Sequence, residues 1–193
     1  SDMYRTLTAA DPKAEWMQMT WMFYHDRKDW TAPRIKALLT GVPQDKMFLL
    51  DYHCENVELW KNTEHFHGQP YIWCNFGGNT TLTGNVKESG DRLDNALING
   101  GSNLRGIGST LEGLDVMQFP YEYIFEKAWD LNLDNEAWLQ NLADRHAGTV
   151  SQPVREAWDI LFNQIYVQVP KTLGVLPNYR PVMNKPNRRT VID

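Results

Sequence analysis

The sequence predicts an α/β fold, a parallel sheet of four strands with intervening helices that gives way to helices alone. Three observations carry this. Four short apolar runs end in polar, acidic or glycine-rich residues, helical periodicity lies between them, and after Pro120 three helical segments follow one another without a strand.

Residues 15–21 alternate bulky and polar side chains, which suits a first strand. Thr31-Ala-Pro33 followed by Ile35, Leu38 and Leu39 suits a helix with proline in its first turn. Met47-Phe-Leu-Leu-Asp51 is a second strand ending in a carboxylate, and Tyr71-Ile-Trp-Cys74 is a third, running into Asn75-Phe-Gly-Gly-Asn79. Continuous apolar runs of this kind are expected to be buried on both faces, as in parallel sheets. Leu93, Leu97 and Ile98 mark a helical face, and Leu104-Arg-Gly-Ile-Gly108 is a fourth strand with little side-chain bulk.

Beyond Pro120, three sets of residues keep the helical period: Tyr123, Phe125, Ala128 and Trp129; Trp138, Leu139 and Leu142; and Val154, Ala157, Trp158, Leu161, Phe162 and Ile165. From Pro170 onward periodicity is lost. Four strands with their helices make the second half of a (β/α)8 TIM-like barrel, followed by α-helices of a C-terminal helical domain. The expected division is a partial barrel over 1–133 and the start of an all-α domain over 134–193. Half a barrel leaves two unpaired strand edges and an uncovered face, so the chain reads as a fragment, and in isolation it is expected to self-associate.

Composition narrows the function. Nineteen Lys+Arg against 24 Asp+Glu give a net charge of -5, which offers no basic surface to a phosphate backbone and excludes nucleic acid as a partner. No apolar run approaches the roughly 18 residues of a membrane span. Ser1-Asp2-Met3 carries no leader pattern, so this end does not fix a compartment. Eight Trp, eight Tyr and seven Phe are an unusual load. Aromatic rings fill cores, and they also stack on the apolar faces of sugars.

In a parallel sheet or barrel the chemistry sits where strands end. Those positions hold Trp21, then Asp51, Tyr52 and Glu55, then Cys74, Asn75 and Phe76, then Glu112 in Ser109-Thr-Leu-Glu-Gly113. A carboxylate facing aromatic walls suits a glycosidase, in which one carboxylate attacks the anomeric carbon and a second carboxyl serves the leaving oxygen. The competing reading makes Trp21 and Phe76 core, Asp51 a helix cap and Glu112 a loop residue.

Four blocks in order add to this. Ala14-Glu-Trp-Met-Gln-Met-Thr-Trp-Met-Phe23, Val42-Pro43 ahead of Leu49-Leu-Asp51, Gly68-Gln-Pro-Tyr-Ile-Trp-Cys74 with Asn75-Phe-Gly-Gly-Asn79, and Gly106-Ile-Gly-Ser-Thr-Leu-Glu-Gly113 resemble alpha-N-acetylglucosaminidases of glycoside hydrolase family 89. The resemblance runs from about residue 11 to about 168. It implies a retaining exo-acting enzyme that removes terminal α-linked N-acetylglucosamine from glycans, with a (β/α)8 domain followed by an all-α domain. It also implies a secreted, periplasmic or lysosomal setting. Carried over by position, Glu112 matches the catalytic nucleophile, and Trp21, Tyr52 and Phe76 match substrate-binding positions. The family's acid/base glutamate belongs to an earlier strand, so no residue here takes that role. About three residues that the family usually carries between the Trp-Cys pair and the Asn-Phe-Gly-Gly-Asn block are missing, which shortens the pocket loop. The alternative function is a non-catalytic, degenerate copy that at most binds glycan.

Other chemistries are thinner. His53, Glu55, His65, His67 and Cys74 are metal-capable, but Gly68-Gln-Pro70 after His65-Phe-His67 suggests a solvated loop, and no metal or cofactor is expected. Cys54 and Cys74 are expected to be buried free thiols. Gly106-Ile-Gly108 lacks the continuation of a dinucleotide site.

Overall fold

A computed structural model describes residues 2–76, 86–110 and 118–166. The elements are α1 (Asp2–Ala10), β1 (Trp16–Met19), α2 (Trp21–His25), α3 (Ala32–Thr40), β2 (Met47–Asp51), short turns at Leu59–Asn62 and His65–Gly68, β3 (Tyr71–Asn75), α4 (Val86–Asn99), β4 (Leu104–Ser109), α5 (Gln118–Trp129), α6 (Asn135–Ala147) and α7 (Gln152–Ile160), which runs into a π-helical turn at Leu161–Ile165. Among the described residues no helix is long and apolar enough to cross a membrane.

The sheet order is β1-β2-β3-β4, and every neighbouring pair is parallel. A sheet that always lays the next strand beside the last is a barrel wall, whereas a doubly wound sheet reverses its order partway. The register sets Met17 beside Phe48, Met19 beside Leu50, Leu50 beside Ile72 and Ile72 beside Gly106. By the period-two pleat these residues share one face, and Met47, Leu49, Tyr71 and Trp73 share the other.

The two faces are unequal. Met47, Leu49, Tyr71 and Trp73 are buried in one cluster with Ile35 and Leu39 of α3 and Leu93 and Ala96 of α4. On the opposite face Met17 is 58% and Met19 42% exposed. The expectation of two buried faces, made for the second and third strands, is corrected there, since Phe48 and Leu50 of β2 and Ile72 of β3 are half-buried. β2 alternates buried and half-buried residues, because the helices of the described residues cover one face of the sheet.

Three local features also depart from the sequence reading. The first strand stops at Met19, and Trp21 opens a helical turn in which the Phe23 N–H bonds the Thr20 carbonyl at 2.9 Å. The His65–His67 segment is not a solvated loop. Glu64, His65, Phe66 and His67 have φ between 50° and 54°, and Gly68 has φ 88°, which makes a left-handed turn. Left-handed backbone costs an L-residue about 1–2 kcal/mol. Here the fully buried Phe66 ring offsets it, helped by the Asn103 amide, which donates to the carbonyls of His65 and Gln69 at 2.7 Å each. On α5 the buried residues are Phe119, Tyr123, Ile124 and Lys127, and Trp129 is 89% exposed. The Lys127 ammonium reaches Asp94 of α4 at 2.9 Å, which turns this side of α5 toward α4.

The helical end packs through aromatic rings. Phe119 and Tyr123 of α5 meet Trp138, Phe162 and, from Phe119, Trp158 and Tyr166, with ring centroids 4.9–6.1 Å apart. Asp134 caps α6 by accepting the N–H groups of Glu136 and Ala137.

Candidate active site

Because all four strands are parallel, their C-terminal ends share one edge of the sheet. Trp21, Asp51 with Tyr52, and Asn75 with Phe76 follow the ends of β1, β2 and β3 on that edge, as the sequence predicts. Glu112 and residues 77–79 of the Asn-Phe-Gly-Gly-Asn block lie outside the described residues. Thr110, two residues before Glu112, is fixed to the ends of β2 and β3. Its N–H bonds the Asn75 carbonyl at 3.1 Å and its hydroxyl donates to the Tyr52 carbonyl at 2.7 Å.

Tyr52 links the other two aromatic candidates, touching Phe76 and sharing a pocket with Trp21. Tyr52 and Phe76 are in tilted contact with centroids 4.9 Å apart, and the His53 ring meets them at 5.6 and 5.0 Å. Trp21 and Tyr52 share an open pocket of about 350 Å³ with Gln18, Met19 and Met22. Tyr52 and Phe76 are 8% exposed and Trp21 39%, so Trp21 offers the broad surface and the other two stiffen the wall beside it. The Trp21 ring stacks on His25 one helical turn away, at 4.3 Å.

Asp51 lies beneath this wall and is fully buried. It accepts hydrogen bonds from the Thr20 hydroxyl and the Trp60 N–H, each at 3.3 Å, and Thr20 Oγ1 in turn accepts the Tyr52 N–H at 3.2 Å. Burial raises its pKa to about 7, against the lowering effect of these bonds. The capping role weighed for Asp51 is thus present in part, since the Trp60 N–H opens the Leu59–Asn62 turn. Cys54 and Cys74 are buried free thiols. Burial holds the Cys54 thiol well above its ordinary value and pushes Cys74 to about 12, so both are protonated and poor nucleophiles.

Glu55 is placed differently from Asp51. Both of its carboxylate oxygens accept the Phe76 N–H, at 3.0 Å each, and one lies 3.6 Å from His53 Nε2. Burial lowers the His53 pKa, which favours the neutral imidazole. Among the described residues no three His, Cys, Asp or Glu side chains are grouped as metal ligands. What the arrangement can do chemically is hold a flat, partly apolar ligand against aromatic side chains at a rigid sheet edge.

Residues 1–131 match the family model described as the alpha-N-acetylglucosaminidase (NAGLU) tim-barrel domain. The chain belongs to the alpha-N-acetylglucosaminidase family. It is 31% identical over 169 residues to human alpha-N-acetylglucosaminidase, an alignment that spans 85% of this chain and 23% of the human protein. Two solved structures share the fold. One is a family 89 glycoside hydrolase from Clostridium perfringens in complex with PUGNAc, with a TM-score of 0.70, 22% identity and coverage of 86% of this chain and 18% of that one. The other is a double Glu-to-Gln variant from the same organism in complex with its substrate, N-acetylglucosamine-α-1,4-galactose, with a TM-score of 0.69 at 22% identity, covering 84% of this chain and 18% of that one. This chain therefore spans about a quarter of the human relative and represents the alpha-N-acetylglucosaminidase barrel in part.

Sequence reasoning overlooked several residues that organise this edge. Thr20 and Thr110 stand next to strand ends, a position that could have flagged them. Tyr121, whose hydroxyl donates to the Phe76 carbonyl at 2.8 Å, comes from α5 and carries no local signal.

Proposed function

We propose that this chain forms part of the active site of a retaining exo-α-N-acetylglucosaminidase, with Glu112 as nucleophile and Trp21, Tyr52 and Phe76 as the sugar-facing wall. The observation that supports this most is the convergence of the three aromatic residues on one strand-end edge, with Thr110 lashed to Tyr52 and Asn75 two residues ahead of Glu112. In such an enzyme a carboxylate attacks the anomeric carbon to form a glycosyl-enzyme, while a carboxyl about 5–5.5 Å away protonates the departing oxygen and later activates water. The chain carries a candidate for the first carboxylate only. The substrate is a glycan ending in α-linked N-acetylglucosamine, a reading supported by the substrate named in the clostridial complex. We divide the chain into a partial barrel over 1–133 and the opening of a helical domain over 134–193, a division supported by the extent of the family match.

The test is hydrolysis of an alkyl or glycan α-N-acetylglucosaminide, whose leaving oxygen needs a proton. The full-length protein turns it over and the 193-residue chain alone does not, because loss of general acid assistance costs about 10²–10⁴-fold and much of the sugar-orienting pocket is missing. Glu112→Gln in the full-length protein abolishes turnover without lowering the melting temperature. Turnover by that variant at the wild-type rate would overturn the assignment.

A further inference from the structure

We propose that Glu55 is a positioning residue that sets the aromatic wall by clamping the backbone of Phe76, and that it does not act as a nucleophile. The proposal rests on the glycosidase reading above and deepens it.

Phe76 is held on three sides. Its N–H is shared by both Glu55 oxygens at 3.0 Å, its carbonyl accepts the Tyr121 hydroxyl of α5 at 2.8 Å, and its ring lies against Tyr52 and His53. The preceding residue is fixed too, since the Asn75 carbonyl takes the Thr110 N–H. These bonds join the ends of β2, β3 and β4 and the first turns of α5 around one peptide. Glu55 is the charged member of that joint. Its side chain is 10% exposed, and charge-assisted bonds to a backbone donor are about twice as strong as neutral ones. A nucleophilic carboxylate must present an oxygen to the anomeric carbon. The Glu55 oxygens are turned instead toward the chain that carries the wall. His53, 3.6 Å from the same carboxylate, packs its ring against Tyr24, Tyr52 and Phe76, so it braces the Tyr52–Phe76 contact while Glu55 pins the backbone.

The consequence is graded. In Glu55→Gln the amide oxygen still accepts the Phe76 N–H. In Glu55→Ala the N–H loses its partner and the wall loses its fixed distance from Tyr52. A wall displaced by about 1 Å costs on the order of 10²-fold in catalysis. Because a stacked wall binds the sugar in the ground state and the transition state alike, much of that loss falls on KM.

The test compares Glu55→Gln, Glu55→Ala and Tyr121→Phe in the full-length protein, with kcat and KM measured on an aryl α-N-acetylglucosaminide. Amide exchange of Phe76 is read on the same proteins. Glu55→Ala is expected to lower kcat/KM about 100-fold, mainly through KM, and to speed Phe76 exchange. Glu55→Gln should recover most of both losses, and Tyr121→Phe should raise KM in the same direction by less. If Glu55→Gln abolishes kcat while leaving Phe76 exchange slow, Glu55 is a reacting group and the proposal is overturned. Unchanged Phe76 exchange in a folded Glu55→Ala protein overturns it as well. A wild-type protein with no activity on this substrate overturns the glycosidase reading, whereas the exchange measurement still decides the clamp.

Discussion

Replacing Asp51 with asparagine gives the chain a pH signature that can be worked from the structure. Asp51 is fully buried, and burial lifts its pKa from 3.8 to about 7. In the unfolded chain the group ionises near pH 4, so between about pH 4 and 7 the folded protein keeps a proton that the unfolded chain has released. Stability is then fully present below about pH 4 and is lost as the pH rises toward 7, with little further change above it. At about 1.4 kcal/mol for each pH unit, the whole change comes to about 4 kcal/mol, of which about 2–3 kcal/mol falls between about pH 5 and pH 8. The asparagine of Asp51→Asn has nothing to titrate. Its oxygen can accept the Trp60 N–H, and its NH₂ can donate to Thr20 once that hydroxyl turns. The assay is urea unfolding of the full-length protein at pH values from about 5 to about 8. The wild type should lose about 2–3 kcal/mol more than Asp51→Asn across that range. Parallel losses in the two proteins would refute the burial of an ionisable carboxyl under the wall.

Two further substitutions probe how the elements are joined. Glu58 has a 2% exposed side chain that accepts from Trp60 Nε1 at 3.1 Å and pairs with Lys61 and Arg92. Glu58→Ala leaves the Trp60 Nε1–H without its acceptor, while Lys61 and Arg92 remain solvated, and should cost about 1–3 kcal/mol in urea unfolding. Asp134→Ala removes the cap on the first N–H groups of α6 and should cost about 1 kcal/mol by the same measurement, with the near-ultraviolet aromatic signal retained.

The sheet was legible because short apolar runs are local signals. All four strands are where residues 15–21, 47–51, 71–74 and 104–108 place them, within one or two positions at their ends. What the runs do not encode is how many faces are covered. Met17 and Met19 are the bulky members of an alternating run, and their exposure follows from which helices cover the sheet. The Glu64–Gly68 turn was illegible for a different reason. Nothing local favours left-handed backbone at Glu64, His65, Phe66 and His67, and the turn is held by the burial of Phe66 and by Asn103, far along the chain. At the site, Trp21, Tyr52 and Phe76 could be picked out because they follow strand ends. The clamp on Phe76 could not, because Tyr121 arrives from a helix 45 residues downstream.

Whether Glu112 attacks the sugar at the edge where the aromatic residues meet is decided most directly by covalent trapping. A 5-fluoro-α-N-acetylglucosaminyl fluoride, whose fluoride leaves without protonation and whose ring fluorine slows breakdown of the ester, is incubated with the full-length protein, and the digest is mapped by mass spectrometry. The expected result is a single sugar adduct on the peptide that contains Glu112, absent in Glu112→Gln. An adduct on Glu55 or on any other carboxylate, or an active protein that accumulates no adduct, would contradict the assignment.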